Sequence, residues 1–161
     1  MAMDAAHPRV LGSLGRALSL ELTAVQQYMT QASLLELWGD HEAADRFRRE
    51  TVEEMRHAES LIKHMLALGV APAASQLRPV THAPDLAGLL QHNLRLELDL
   101  IHLYDDAVRF CLLIGNRDSH ALFASLLEDE RQHAHALEAW HRELLTDSGG
   151  YGAWAEARAT F

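Results

Sequence analysis

One metal-ligand pattern occurs twice in this chain, and it leaves few folds open. Glu54-Met55-Arg56-His57 returns as Glu130-Arg131-Gln132-His133, and a single acid stands 33 positions before each copy, Glu21 before the first and Glu97 before the second. Glu21 to Glu97, Glu54 to Glu130 and His57 to His133 are each 76 positions apart. Four carboxylates and two imidazoles in the order Glu, Glu-x-x-His, Glu, Glu-x-x-His form an established arrangement for holding a pair of divalent metals inside a bundle of four helices. The spacing therefore predicts an all-α fold with its chemistry in the core.

The hydrophobic pattern agrees. Apolar residues recur at steps of three and four in four long stretches, with no sustained alternation of the kind strands show. The first carries Leu11, Leu14, Leu18, Leu22, Val25 and Ala32, and Gly39 followed by Asp40 reads as a helix stop and a new N-cap. The second carries Phe47, Thr51, Ala58, Leu61, Met65 and Leu68 and stops at Gly69. Asp85 is the expected cap of the third, which runs through Leu90, Leu94, Leu98, Ile101, Val108 and Cys111 to Gly115. Asp118 or Ser119 is expected to open the fourth, with Phe123, Leu127, Ala134, Leu137, Trp140 and Leu144 on its stripe. Each helix is expected to hold about 27 to 31 residues and to measure roughly 40 to 45 Å.

Connection lengths set the topology. Short turns join helices one to two and three to four, giving two antiparallel hairpins. Residues 70 to 84, VAPAASQLRPVTHAP, are proline-punctuated and lack helical periodicity. Fully extended they reach about 50 Å, enough to run the length of the bundle. A long crossover between two hairpins distinguishes the ferritin-like bundle from the bundle with only short loops. A single domain over 1–161 is expected, with the bundle at about 8–146 and a tail at 147–161.

The repeat extends beyond the ligands. At the same offset Gly12 matches Gly88, Tyr28 matches Tyr104, Gly39 matches Gly115 and Phe47 matches Phe123, as do several leucines. The two hairpins read as duplicated halves related by a pseudo-twofold axis.

Residues three apart on a helix lie about 60° apart around the axis and about 4.5 Å apart along it, so each Glu-x-x-His projects into one space. All six candidate ligands fall within apolar stripes that contain no Lys or Arg. Burying four unpaired carboxylates would cost several kcal/mol each. Two divalent cations neutralise them, which argues against a metal-free helical interaction module. Oxygen-rich ligation with one nitrogen per metal favours iron, with manganese as the other choice, over structural zinc. A metal pair about 4 Å apart suits redox chemistry on dioxygen or peroxide. Tyr28 and Tyr104 each lie seven residues after the lone acid of their helix, about 20° around from it. Each is either a hydrogen-bond donor to a ligand and electron source, or an ordinary core tyrosine.

Composition narrows the setting. A net charge of −9 with dispersed Lys and Arg argues against nucleic acid. The single cysteine, Cys111, excludes a disulfide framework and fits a reduced compartment and a small core residue. With no apolar run near the roughly 20 residues of a membrane span and no leader-like N-terminus, a cytoplasmic protein is expected. Of the eleven histidines, most beyond the motifs, including His64, His82, His92, His120, His135 and His141, read as surface residues; His102 lies about 140° from Glu97 and away from the ligand face.

The segments ELTAVQQY at 21–28, Trp38-Gly39, Glu53-Glu54-Met55-Arg56-His57, LRLELD at 94–99 and EDERQH at 128–133 closely resemble bacterioferritin, within the ferritin-like superfamily. The resemblance covers the whole four-helix region. It implies Glu21 and Glu97 as terminal ligands, Glu54 and Glu130 as bridging carboxylates, and His57 and His133 as terminal imidazoles of a di-iron ferroxidase centre. It further implies iron storage in a 24-subunit cage built from dimers, with Fe(II) and O2 or H2O2 as reactants. Met55 occupies the position at which two subunits share haem b, and at about 100° from Glu54 it turns away from the ligand face. Two departures stand out. Arg49 and Glu53 replace the His and Asp that can bind iron on the inner shell surface, and the tail TDSGGYGAWAEARATF holds only a short fifth-helix candidate, around Tyr151 to Arg158. The competing function is a stand-alone di-metal oxidase or peroxidase of rubrerythrin type, although this chain lacks that family's cysteine-rich segment.

Overall fold

The computed structural model describes residues 6–73 and 75–147. The fifth-helix candidate lies outside the described residues. Four helices account for most of the rest: α1 (Pro8–Leu37), α2 (His41–Ala67), α3 (Leu86–Leu113) and α4 (Arg117–Thr146). There is no strand among the described residues, and none of these helices is long and apolar enough to cross a membrane.

Each helix begins where a side chain can take up an orphan amide. Asp40 accepts from the Ala43 amide at 3.1 Å and Asp85 from the Gly88 amide at 2.8 Å, as the sequence predicts. The fourth helix starts earlier than expected: Asn116, not Asp118 or Ser119, is its cap and accepts from the Ser119 amide at 3.1 Å. Gly115 supplies the reason. Its φ of 72° lets the Asn116 amide bond back to the Cys111 carbonyl at 2.9 Å, so the chain has already reversed at Asn116. Gly39 (φ 81°) and Asp40 do the same, with Asp40 bonded to Leu35 at 2.9 Å. The 76-residue repeat thus covers the turns as well.

α1 packs against α2 and α3, and α3 against α4, while α2 and α4 approach more loosely. Leu14, Leu18, Leu35, Phe47, Leu61, Leu89, Leu90, Leu100 and Phe123 fill the centre. The crossover from α2 to α3 is fastened along α1 by side chains spaced one turn apart. The Gln76 amide donates to Ser19 Oγ at 3.0 Å, Arg78 to Thr23 Oγ1 at 3.1 Å and Thr81 to Gln27 Oε1 at 3.3 Å. Four residues of helix rise about 6 Å, close to the advance of the two extended residues from Gln76 to Arg78, while the next step, from Arg78 to Thr81, takes three residues. The side-chain amides of Gln27, Asn93 and Gln31 then form a buried chain, with bonds of 2.7 Å on either side of Asn93, joining α1 to α3.

Candidate metal centre

Glu21 comes from α1, Glu54 and His57 from α2, Glu97 from α3, and Glu130 and His133 from α4, so every helix contributes. The four carboxylates are 0% exposed, His57 is 5% exposed and His133 is partly buried. One group of potential ligand atoms, from Glu21, Glu54, His57 and Glu130, lies within 4.8 Å of one another; a second comprises Glu54, Glu97, Glu130 and His133. Glu54 and Glu130 belong to both. The two groups are therefore adjoining candidate sites that share two carboxylates.

The imidazoles face inward through Nδ1. His57 Nδ1 lies 2.8 Å from Glu130 Oε1 and 3.1 Å from Glu54 Oε2, and His133 Nδ1 lies 3.1 Å from both Glu54 Oε1 and Glu130 Oε2. The two rings are near parallel, with centroids 5.6 Å apart. Their outer nitrogens meet further carboxylates: His57 Nε2 lies 3.3 Å from Asp129 Oδ2, and His133 Nε2 lies 3.7 Å from Glu50 Oε2. Such outer partners fix the ring orientation of a metal-binding histidine. Glu50 lies one turn before Glu54, so helical spacing could have found it. Asp129 reaches His57 from another helix, and no local spacing signals that.

The tyrosines are exchanged between the hairpins. Tyr28 of α1 donates to Glu97 Oε1 of α3 at 2.6 Å, and Tyr104 of α3 donates to Glu21 Oε1 of α1. Both tyrosines are buried in the core and both donate to a candidate ligand acid, each to the acid of the other half. Met55, 54% exposed, lies on the outside of α2. Cys111 is buried in the core, and His102 is exposed, away from the ligand set. His64 is only half-buried, with Nε2 2.9 Å from Ser119 Oγ.

The buried acids and imidazoles perturb one another strongly. Burial, followed by the nearby Glu54 charge, pushes the Glu21 and Glu97 carboxyls well above the usual range. Burial alone would lower His133, but hydrogen bonds to Glu130 and Glu54 carry it up to about 11; His57 is raised likewise against its burial by Glu130, Glu21 and Glu54. Burial opposes ionisation of Glu130, yet the two imidazoles hold it well below the usual range. Burial and the Glu97 charge push the Tyr28 phenol well up, and burial and Glu21 do the same to Tyr104. Among the candidate ligands, Glu21 Oε2 and Glu97 Oε2 are buried with no hydrogen-bond partner, as is Glu50 Oε2 behind His133. Glu21 belongs to one group of candidate ligands and Glu97 to the other. Orphaned acceptors beside shared carboxylates fit divalent cations, and the oxygen-rich donor set with one nitrogen on each side suits iron.

Residues 12–145 match the family model for a ferritin-like domain. The chain is 35% identical to bacterioferritin of Rhodobacter capsulatus over 130 residues, 81% of each chain. It is 34% identical to bacterioferritin of Brucella melitensis over 143 residues, 89% of this chain and 88% of that one. Among solved structures, Mycobacterium tuberculosis bacterioferritin BfrA superposes with a TM-score of 0.85 at 26% identity, covering 95% of both chains. The Rhodobacter capsulatus bacterioferritin gives 0.86 at 32% identity, covering 95% of this chain and 94% of that one. The latter is described with a metal-free dinuclear site and with haem iron in a crystallographic special position.

Proposed function

This chain belongs to the bacterioferritin family of ferritin-like proteins, and from that premise we propose that it oxidises Fe(II) at the six-residue centre and stores the product in a cytoplasmic 24-subunit cage. The observation that carries the reading is the pair of ligand groups sharing Glu54 and Glu130. An iron pair bound there supplies one electron from each Fe(II) to dioxygen or hydrogen peroxide. Glu21 with His57 would close one side of the pair, and Glu97 with His133 the other. Glu54 and Glu130 would bridge. Asp129 would hold the His57 ring from behind, the Glu50 carboxylate lies 3.7 Å behind His133, and the buried core to which Leu18, Phe47, Leu61, Leu100 and Phe123 belong keeps bulk water out. Tyr28 and Tyr104 orient the terminal carboxylates by donating to one oxygen of each, which leaves the other free for a cation.

Met55 is proposed to hold haem b jointly with the Met55 of a second copy. Its thioether is exposed on α2, one turn from Val52 (47% exposed), and Met29 of α1 is 51% exposed. Exposed apolar side chains on two adjacent helices suit an apolar macrocycle between subunits. Haem supplies electron transfer when bound, and a bis-thioether ligation gives a Soret band and a low-spin spectrum that Met55→Ala removes.

Aerobic loading of metal-free protein with excess Fe(II), followed by size-exclusion chromatography and iron counting, tests oxidation and storage together. Iron eluting as a mineral with a large assembly, far above the two irons per chain of the centre, is the expected result. About two irons per chain on a small oligomer would instead support a stand-alone oxidase.

A further inference from the structure

Charged groups also converge at a second place, which shares no residue with the ligand set. α1, α3 and the crossover between α2 and α3 enclose an open-sided groove of about 860 Å³. Arg16 lines it from α1, Arg78 from the crossover and His102 from α3. Arg78 Nη1 donates to Asp99 Oδ2 at 2.5 Å, which leaves the other guanidinium nitrogens with no partner among the described residues. Arg16 has no carboxylate partner among the described residues, and its guanidinium reaches only Ser13 Oγ, at 3.4 Å. Two arginines against one aspartate make the groove positive in a chain whose net charge is −9. Its shape is as distinctive as its charge. A Cβ on Gly15 would meet nothing within 4 Å, so bare helix backbone forms part of the floor. A Cβ on Gly12 would lie 3.2 Å from Arg16 Nη1, so the missing side chain leaves that guanidinium room along α1. Leu77 and Leu103 give the groove apolar walls, and Ser19 Oγ, which accepts the Gln76 amide at 3.0 Å, keeps its own O–H to donate. The 76-residue repeat does not reproduce the groove: Gly15 and Arg16 shift to Gln91 and His92, and the crossover is present once.

We propose that this groove binds a small organic phosphate, its phosphoryl group held by Arg16, Arg78 and His102 and its apolar body resting on Gly15 between Leu77 and Leu103. A phosphate monoester brings about −1.5 to −2 charge and three acceptor oxygens, enough to engage both guanidinium forks and a ring N–H together. A carboxylate, with one charge and two oxygens, occupies a single fork. Inorganic phosphate meets the cations but leaves most of the 860 Å³ to water, and a neutral ring leaves Arg16 unpaired, so the groove selects for head and body in one molecule. Its donors come from three segments of the chain. The bound phosphate therefore ties the crossover to α1 and α3 through side chains, in addition to the backbone bonds that Ser19 and Thr23 accept from Gln76 and Arg78.

Phenyl phosphate is the probe, titrated calorimetrically into full-length protein without added iron, with inorganic phosphate, benzoate and phenol as controls. One phenyl phosphate per chain is expected, bound at least about tenfold more tightly than any control and more weakly as sodium chloride rises. Arg16→Ala and Arg78→Ala, both at exposed positions, should each weaken it about tenfold. Gly15→Leu keeps every charge but fills the floor, and should abolish binding; melting temperatures check that each variant is folded. Hydrogen–deuterium exchange of the parent protein locates the ligand without any substitution. Protection by phenyl phosphate should appear in peptides covering 12–20, 76–79 and 99–103. Absence of binding, a control that binds as tightly as phenyl phosphate, undiminished binding in any of the three variants, or protection confined to other segments overturns the proposal.

Discussion

Glu54 and Glu130 each enter both ligand groups, whereas Glu21 and Glu97 each enter one. Losing a shared acid therefore removes the partner of two cations, and losing a terminal acid removes the partner of one. Co(II) titration followed by absorbance should show two sites per chain reduced to about one in Glu97→Ala and to none in Glu54→Ala; equal loss in both variants would contradict the shared arrangement. Proton linkage gives a second expectation. Glu21, Glu97, His57 and His133 have folded-state affinities for protons raised above their ordinary values of 4.5 and 6.5. Stability from raised groups is complete below the unfolded value and is lost as pH climbs toward the folded one. Glu130, held low, acts oppositely and contributes above 4.5. Metal-free protein should therefore be most stable in mild acid, lose stability as pH rises past 4.5 and lose it faster past 6.5, where the imidazoles join. Bound metal displaces those protons, so calorimetry should find the decline flattened in the loaded protein. The six candidate ligands were legible in sequence because three-residue spacing places Glu and His together on one helix and the 76-residue repeat singles out Glu21 and Glu97. The tyrosine bonds were not, because Tyr28 and Tyr104 act on acids of the opposite hairpin, and no local period encodes a partner 69 or 83 positions away.

Turns and caps make the same point one scale up. The Gly39-Asp40 reversal was readable from composition, but Asn116 lost to Asp118 and Ser119 because acids and serines near a helix start all resemble caps. Projecting Asp40 through the repeat lands on Asn116, so the duplication held information that local preference did not. Replacing Asn116 by Ala should cost about 1 kcal/mol of stability, read as a lower melting temperature, because the Ser119 amide loses its acceptor. At the start of α3, a Cβ on Gly88 would lie 2.5 Å from the Ala83 Cβ. Gly88→Ala should then force the end of the crossover outward and destabilise the protein, whereas Gly15→Ala, where a Cβ meets nothing within 4 Å, should be neutral or slightly stabilising. Equal melting temperatures for the two variants would refute the close approach.

Across the whole molecule, the two hairpins meet through the candidate ligand set, the buried leucines and the Gln27–Asn93–Gln31 amide chain. Length and proline spacing predicted a crossover spanning the bundle. Its attachment to Ser19, Thr23 and Gln27 was not legible, because polar residues within a helical stripe read as surface until their partner is known. Replacing Asn93 by Leu strands the Gln27 amide and the Gln31 carbonyl in the interior and should cost about 1–3 kcal/mol. The fastening also separates chain continuity from structural integrity. Residues 71–73 are exposed and precede the first fastened amide, that of Gln76. A protease should nick that stretch first, and the two fragments should stay together as one folded particle. The amides of Gln76, Arg78 and Thr81, although in a segment with no regular structure, should exchange with deuterium at rates nearer those of a helix than those of a loop.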